Sequence, residues 1–271
     1  MTTRVFLHIA TLCSPGFLIV SLIAPVGFAL RKRHWMLGGA LLILTQAAAD
    51  SLHWPIAAGF TALAVIAGSI VVLARGLREH RRFRAAWLQR WNNATPIALH
   101  PPFVGDWKAL NTGPSVASNH HLAARDQWFA VDWVRQDAPS RASQILSPVE
   151  GVVAVVEDGH PDKPNRRWIQ RDPSNPAGNY ISIRAAAGEA IFVILAHLGK
   201  GSILVSPGQS VAVGEPVARC GNSGNTSVSH LHIHAQPAER VAPGAVWGIP
   251  IVFADRNHAM RSGERLRVRE P

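Results

Sequence analysis

The chain has 271 residues, 48% hydrophobic and 16% charged, with a formal net charge of +10. That length suffices for a membrane part plus one domain of ordinary size. Its two cysteines, Cys13 and Cys220, exclude a disulfide-stapled scaffold and leave the redox compartment open. The basic excess is local, because residues 1–98 carry 10 Lys/Arg against 2 Asp/Glu and the remainder 17 against 15.

Three apolar runs open the chain. Val5–Leu30 is almost free of charge, Met36–Ala49 is shorter, and Ile56–Ala74 is uncharged throughout. A spanning helix needs about 20 apolar residues, so residues 1–75 are expected to hold two or three transmembrane helices. Buried core helices are disfavoured by the lack of a polar face, and a cleaved signal peptide by the apolar sequence that follows the first run. Arg31-Lys32-Arg33 and the series Arg75, Arg78, Arg81, Arg82 and Arg84 suit anionic lipid headgroups. A nucleic-acid partner is not expected, since aromatic interleaving and a known binding motif are absent. With two spans between the basic clusters, the positive-inside rule places the C-terminal part in the cytoplasm. With only one span it faces outward.

Residues 76–98 read as a basic juxtamembrane helix and linker: Gly76–Trp91 is helix-like, and Asn92–Pro102 carries Asn-Asn and three prolines. Residues 99–255 then change to short β-like runs broken by Gly, Pro, Asn and Asp. The runs are Gln127–Val134, Gly151–Val156, Tyr180–Arg184, Ala190–Ala196, Ser210–Val213 and His230–Ala235. Their spacing predicts a mostly antiparallel β domain. Residues 256–271 are polar and expected to be loosely ordered. Cys220 is expected to be a buried thiol acting as a small hydrophobe.

The richest stretch is Gly221-Asn222-Ser223-Gly224-Asn225-Thr226-Ser227-Val228-Ser229-His230-Leu231-His232-Ile233-His234. Alternate strand positions share a face, so His230, His232 and His234 would point the same way. Such packing of imidazoles suits a metal or a proton-transfer task.

Five segments in order resemble the M23 family of zinc metallopeptidases, the LytM or lysostaphin-like domains. They are Ser147-Pro148-Val149-Glu150-Gly151-Val152-Val153, Gly178-Asn179-Tyr180-Ile181-Ser182-Ile183, Ala196-His197-Leu198, the turn Val205–Glu215, and Gly221–Gly224 followed by His230-Leu231-His232. The resemblance covers roughly residues 147–236. It implies a lipoyl-barrel-related sheet holding one Zn²⁺ on three protein ligands, with a fourth position open to water. His232 would be a ligand. His197 and His230 would be the non-ligand pair, accepting a proton from the attacking water and steadying the charged intermediate.

The remaining ligands in such domains are a His and an Asp four residues apart, and here the chain departs from the pattern. Asp132, in Phe129-Ala130-Val131-Asp132-Trp133, fits the Asp, but Trp128 stands four residues earlier. The stretch Ser118-Asn119-His120-His121 followed by Gln127, Ala130 and Asp132 is similar to a subgroup with a longer loop. The ligand is therefore carried onto His121, with His120 in reserve. His234 stands where an acidic residue is common and is expected to orient a ligand from behind or to sit at the edge. Asn119 and Asn179 are candidates for contact with a substrate backbone.

The resemblance implies hydrolysis of peptide bonds in peptidoglycan stem peptides or cross-bridges by a domain tethered to the bacterial cytoplasmic membrane. Peptidoglycan lies outside that membrane, so this function favours an outward-facing domain. Two rivals differ in class. An inactive M23-like domain that regulates a cell-wall hydrolase would lack converging ligands. A lipoyl-like carrier domain would need a modified lysine, and no lysine follows Lys200.

Overall fold

The computed structural model describes residues 55–166, 170–187, 190–241, 243–253, 256 and 258–269. The expected helices over 5–30 and 36–49 lie outside the described residues. The chain divides into two compact units, Met1–Phe83 and Arg84–Pro271.

The third apolar run opens α1 (Pro55–Asn93), which has no acidic residue in its first turn and Arg90 in its last. On it Leu63, Ile66, Ile70, Leu73 and Leu77 are all at least half exposed. Among the described residues no helix is long and apolar enough to cross a membrane.

In the second unit the chain forms β1 (Ile97–Leu99), β2 (Gly105–Leu110), β3 (Val131–Arg135), β4 (Gln144–Leu146), β5 (Gly151–Glu157), β6 (Asn179–Ala185), β7 (Phe192–Leu198), β8 (Ser210–Val211), β9 (Pro216–Arg219), β10 (Leu231–Gln236), β11 (Ile251–Phe253) and β12 (Arg265–Val268). Eight of them make one sheet in the order β12-β2-β3-β10-β7-β6-β5-β8, and every pairing in it is antiparallel. The expected antiparallel β domain is therefore present. β1 pairs with β11 in parallel and β4 with β9 antiparallel, outside that sheet.

Alternation along the strands sorts the side chains. Val131, Trp133, Ile181, Ile183, Val193, Leu195, Leu231 and Ile233 point into the main core, each 1% exposed or less. The opposite face carries Asp132, His232 and His234, with Ile194 and Ala196 beside them in register. β10 sits in mid-sheet and all six of its residues are buried, so its polar face must be satisfied from within the protein.

Two expectations are corrected here. The tail beginning at Arg256 is not loose, because Leu266 is buried and Arg265–Val268 pair with β2 as an edge strand. The stretch Asn92–Pro102 is not merely a linker, since α1 runs to Asn93 and Ile97–Leu99 form β1 with Leu99 fully buried. In both places a few apolar residues inside polar sequence pair with distant strands, a signal that local pattern does not carry.

Candidate metal centre

Strand register brings Asp132 on β3 directly opposite His232 on β10. Asp132 Oδ1 lies 2.9 Å from His232 Nδ1, 3.3 Å from His121 Nε2 and 3.6 Å from His230 Nε2. Asp132 and His121 are each 2% exposed and His232 is 5% exposed. Four side chains from segments up to 111 residues apart (121 to 232) thus meet at one carboxylate oxygen.

His121 reaches this point from a short 3₁₀ turn, His120–Ala123. Asn119 caps that turn, its side-chain oxygen accepting from His121 N while its amide donates to Gly113 O. Asn119 is 2% exposed, so it is a positioning group and not a contact for substrate. Asn179 is likewise withdrawn, fully buried with its amide donating to the carbonyls of His160 and Leu198. The His120 ring lies tilted against that of His121, 4.2 Å between centroids, but is exposed, and His120, His121 and Asp132 offer ligand atoms within 4.8 Å of one another.

Trp128 explains why the residue four before Asp132 is not a ligand. It is buried, donates from Nε1 to Leu122 O, and packs edge-on against Trp247. Trp87 of α1 donates to Trp128 O, and the Phe129 ring packs at a tilt against Trp87 and Trp91, centroids 5.1 and 6.0 Å away. This aromatic cluster supports the long loop that brings in His121 from the side.

Asn111 was missed by sequence reasoning, although it holds two of the three expected ligands. Its carbonyl lies 2.7 Å from His121 Nδ1, and its amide donates to Asp132 Oδ2 at 2.8 Å. Its φ of +49° is in the left-handed region, where asparagine is among the tolerated residues. An Asn-Thr-Gly turn was the available signal, but turns of that composition are common.

His197 arrives by a backbone irregularity. In a regular strand it would face away from its neighbour Ala196. Between β6 and β7 the pairing slips, with Asn179 opposite Leu198 but Ile181 opposite Leu195. Two residues on β7 therefore oppose one on β6, and His197 has a φ of +61°. This bulge turns the His197 ring to within 4.7 Å of the His230 ring and 5.7 Å of the His232 ring, centroid to centroid. A non-glycine residue in this conformation costs energy that the surroundings must offset. They do so through His197 N donating to Ala177 O and His197 Nδ1 lying 2.8 Å from Ser223 O. Gly178 lets the two loops close up, since a Cβ there would lie 2.6 Å from Gly224 N.

The hydrogen bonds dictate how these rings are protonated. A backbone carbonyl only accepts, so it selects an N–H on the ring nitrogen that faces it. Asn111 O, Ser223 O and Val228 O face Nδ1 of His121, His197 and His230 at 2.7, 2.8 and 2.7 Å. In the neutral ring each Nε2 then carries a lone pair. The Nε2 atoms of His121 and His230 present theirs to the Asp132 carboxylate. Electron-rich atoms converging on one another are a cradle for a cation, and two imidazoles with one carboxylate are a donor set suited to zinc.

Burial disfavours the protonated form of two of these rings. Burial pushes the His197 pKa down to about 3 and that of His234 down to about 4, with the nearby imidazoles adding to the effect. For Asp132 burial acts upward, but the imidazoles of His121 and His230 prevail and hold the carboxyl well below its usual range. Cys220 is buried as expected, and burial pushes its thiol up.

A pH dependence follows for the metal-free chain. His197 and His234 titrate near 6.5 when unfolded but near 3 and 4 when folded. Between these values the unfolded state binds protons that the native state refuses, so stability is full above about pH 6.5 and falls as pH drops. At pH 5 the two sites together withdraw about 4 kcal/mol. Urea midpoints of the metal-free chain at pH 7 and pH 5 measure this, and equal midpoints would contradict it.

Residues 135–243 match the model of Peptidase family M23. Among solved structures, the chain is similar to the antimicrobial peptidase lysostaphin from Staphylococcus simulans. The identity is 18%, covering 42% of this chain and 38% of that one, with a TM-score of 0.30. It is also similar to a zinc containing peptidase from Vibrio cholerae, with 21% identity over 56% and 38% of the two chains and a TM-score of 0.31. A prophage-encoded M23 protein from Enterococcus faecalis matches at 19% identity over 45% and 74%, with a TM-score of 0.30. The chain thus spans less than two fifths of the length of the first two relatives. No curated protein sequence matches it.

Proposed function

We propose that the unit Arg84–Pro271 is a zinc metallopeptidase that hydrolyses peptide bonds, acting on the peptides of peptidoglycan. The M23 match over residues 135–243 supports the peptidase class. The observation that carries the reading is the meeting of His121 Nε2 and His232 Nδ1 at one carboxylate oxygen, 3.3 and 2.9 Å from Asp132 Oδ1. His121, Asp132 and His232 would hold the metal, and the exposed His120 stays in reserve. Bound zinc supplies a Lewis acid and makes water acidic enough to react at neutral pH.

The chain's own residues do the rest. His230 Nδ1 is tied to Val228 O and His197 Nδ1 to Ser223 O. Each Nε2 is therefore free to accept a proton, and the protonated ring can then stabilise negative charge on the scissile carbonyl oxygen. Burial lowers the basicity of His197 and keeps that ring in the accepting form at neutral pH. Asn111 and Asn119 hold His121 and Asp132 in place. Attachment to the bacterial cytoplasmic membrane through residues 1–75, with the peptidase domain on the outer side, belongs to the same proposal. It rests on the apolar runs, the basic clusters and the location of the substrate.

Purified peptidoglycan incubated with the full chain and zinc is expected to release new amino termini, with activity lost to a chelator and regained with zinc. Zinc uptake without any new amino termini would favour the regulatory, non-cutting reading. A well-folded chain that takes up no zinc would overturn both the metal site and the peptidase.

A further inference from the structure

Behind His232, on the side away from Asp132, lies a second row of buried polar side chains. His232 Nε2 is 2.9 Å from His234 Nδ1, and His234 Nε2 is 3.3 Å from Gln236 Oε1. His234 is 1% exposed and Gln236 fully buried. All three stand at alternate positions on one face of β10, so the row follows the strand.

The row has a direction, and Gln236 sets it. Its amide nitrogen donates to both Ala238 O and Arg240 O at 2.7 Å. Two carbonyl acceptors consume both amide hydrogens, which decides the orientation of an amide that could otherwise be turned over. Oε1 must then face His234, and as an acceptor it requires the proton on His234 Nε2. Neutral His234 is left with a lone pair on Nδ1, which requires the proton of His232 on Nε2. His232 Nδ1 is therefore bare, and it lies 2.9 Å from Asp132 Oδ1, itself an acceptor. Two acceptors at this separation repel unless a cation sits between them.

We propose that Gln236 and His234 are a polarised relay that fixes the tautomer of His232 and delivers its bare Nδ1 to the metal. His234 and Gln236 are positioning residues. The relay imposes the tautomer with neutral side chains only. The inference rests on the zinc reading above and assigns within it the residues that prepare one ligand.

Zinc affinity of the full chain, measured by competition with a chromophoric chelator, tests the relay. His234→Phe is expected to weaken zinc binding about 10- to 100-fold. His234→Asn, whose side-chain oxygen can accept from His232 Nε2, should restore most of it. A merely structural His234 would lower the melting temperature in both variants and leave zinc affinity unchanged. Nitrogen-15 NMR of the zinc-loaded wild type gives a second reading that needs no variant to fold, with the His234 proton expected on Nε2. Unchanged affinity in a folded His234→Phe chain, or a His234 proton on Nδ1, would overturn the relay alone. A wild-type chain that binds no zinc would overturn the metal centre and the relay together.

Discussion

Asp132→Ala is expected to abolish zinc binding and peptide hydrolysis together. One oxygen of Asp132 is the common neighbour of His121, His230 and His232 at 3.3, 3.6 and 2.9 Å. Without it only the two ligand imidazoles, His121 and His232, remain to hold the ion, no negative charge balances it, and the Asn111 amide loses its acceptor. Zinc affinity should fall at least about 10³-fold, equivalent to roughly 4 kcal/mol. Thermal unfolding offers a check independent of activity. The wild type at a zinc concentration of 1,000 times its dissociation constant should gain about 4 kcal/mol, whereas the variant's melting temperature should ignore zinc. A variant that still responds to zinc would mean that the ion sits elsewhere.

His197→Ala should separate chemistry from binding. The His197 ring is 5.7 Å from that of His232 and 4.7 Å from that of His230, and its Nδ1 is held by Ser223 O. It is near enough to exchange a proton with a reacting water and is not among the atoms that crowd Asp132. Hydrolysis should drop by about 10²- to 10⁴-fold, the usual contribution of a placed acid or base, with zinc content at one per chain. Alanine keeps a Cβ, so the unusual backbone at φ +61° is as strained as before, while the contact with Ser223 O is lost, so unchanged zinc content is the control that the site survives. Zinc loss in this variant would make His197 a ligand instead of a proton acceptor.

Much of the sheet could be read before any coordinates. The runs over β5, β6, β7 and β10 alternate or are apolar throughout, and both patterns report burial directly. Six strands escaped: β1, β4, β9, β11 and β12 have four residues or fewer, too few for a period to emerge, and the six-residue β2 escaped as well. The residues expected at the centre were placed by resemblance and by the His230-Leu231-His232 spacing. His121 was harder, because the distance from it to Asp132 is set by a loop supported by Trp87, Trp128 and Trp247 and not by any repeat. Asn111 was not found at all, since its two contacts join positions 10 and 21 residues away through a turn that looks ordinary.

What the sequence by itself determined is the set of chemical groups and the face on which most of them lie. A period of two places His232, His234 and Gln236 on one side of β10 wherever that strand sits. What only the tertiary structure decided is how those groups are oriented and protonated. The bulge at Ala196–His197 turns an imidazole that alternation would have sent into the core. The carbonyls of Asn111, Ser223, Val228, Ala238 and Arg240 choose which nitrogen of each ring, and which end of the Gln236 amide, carries hydrogen. Those choices depend on contacts within about 3 Å, some between near neighbours in the chain and one across 26 residues, and hydrogen-bond direction is a property of such contacts, not of composition or period.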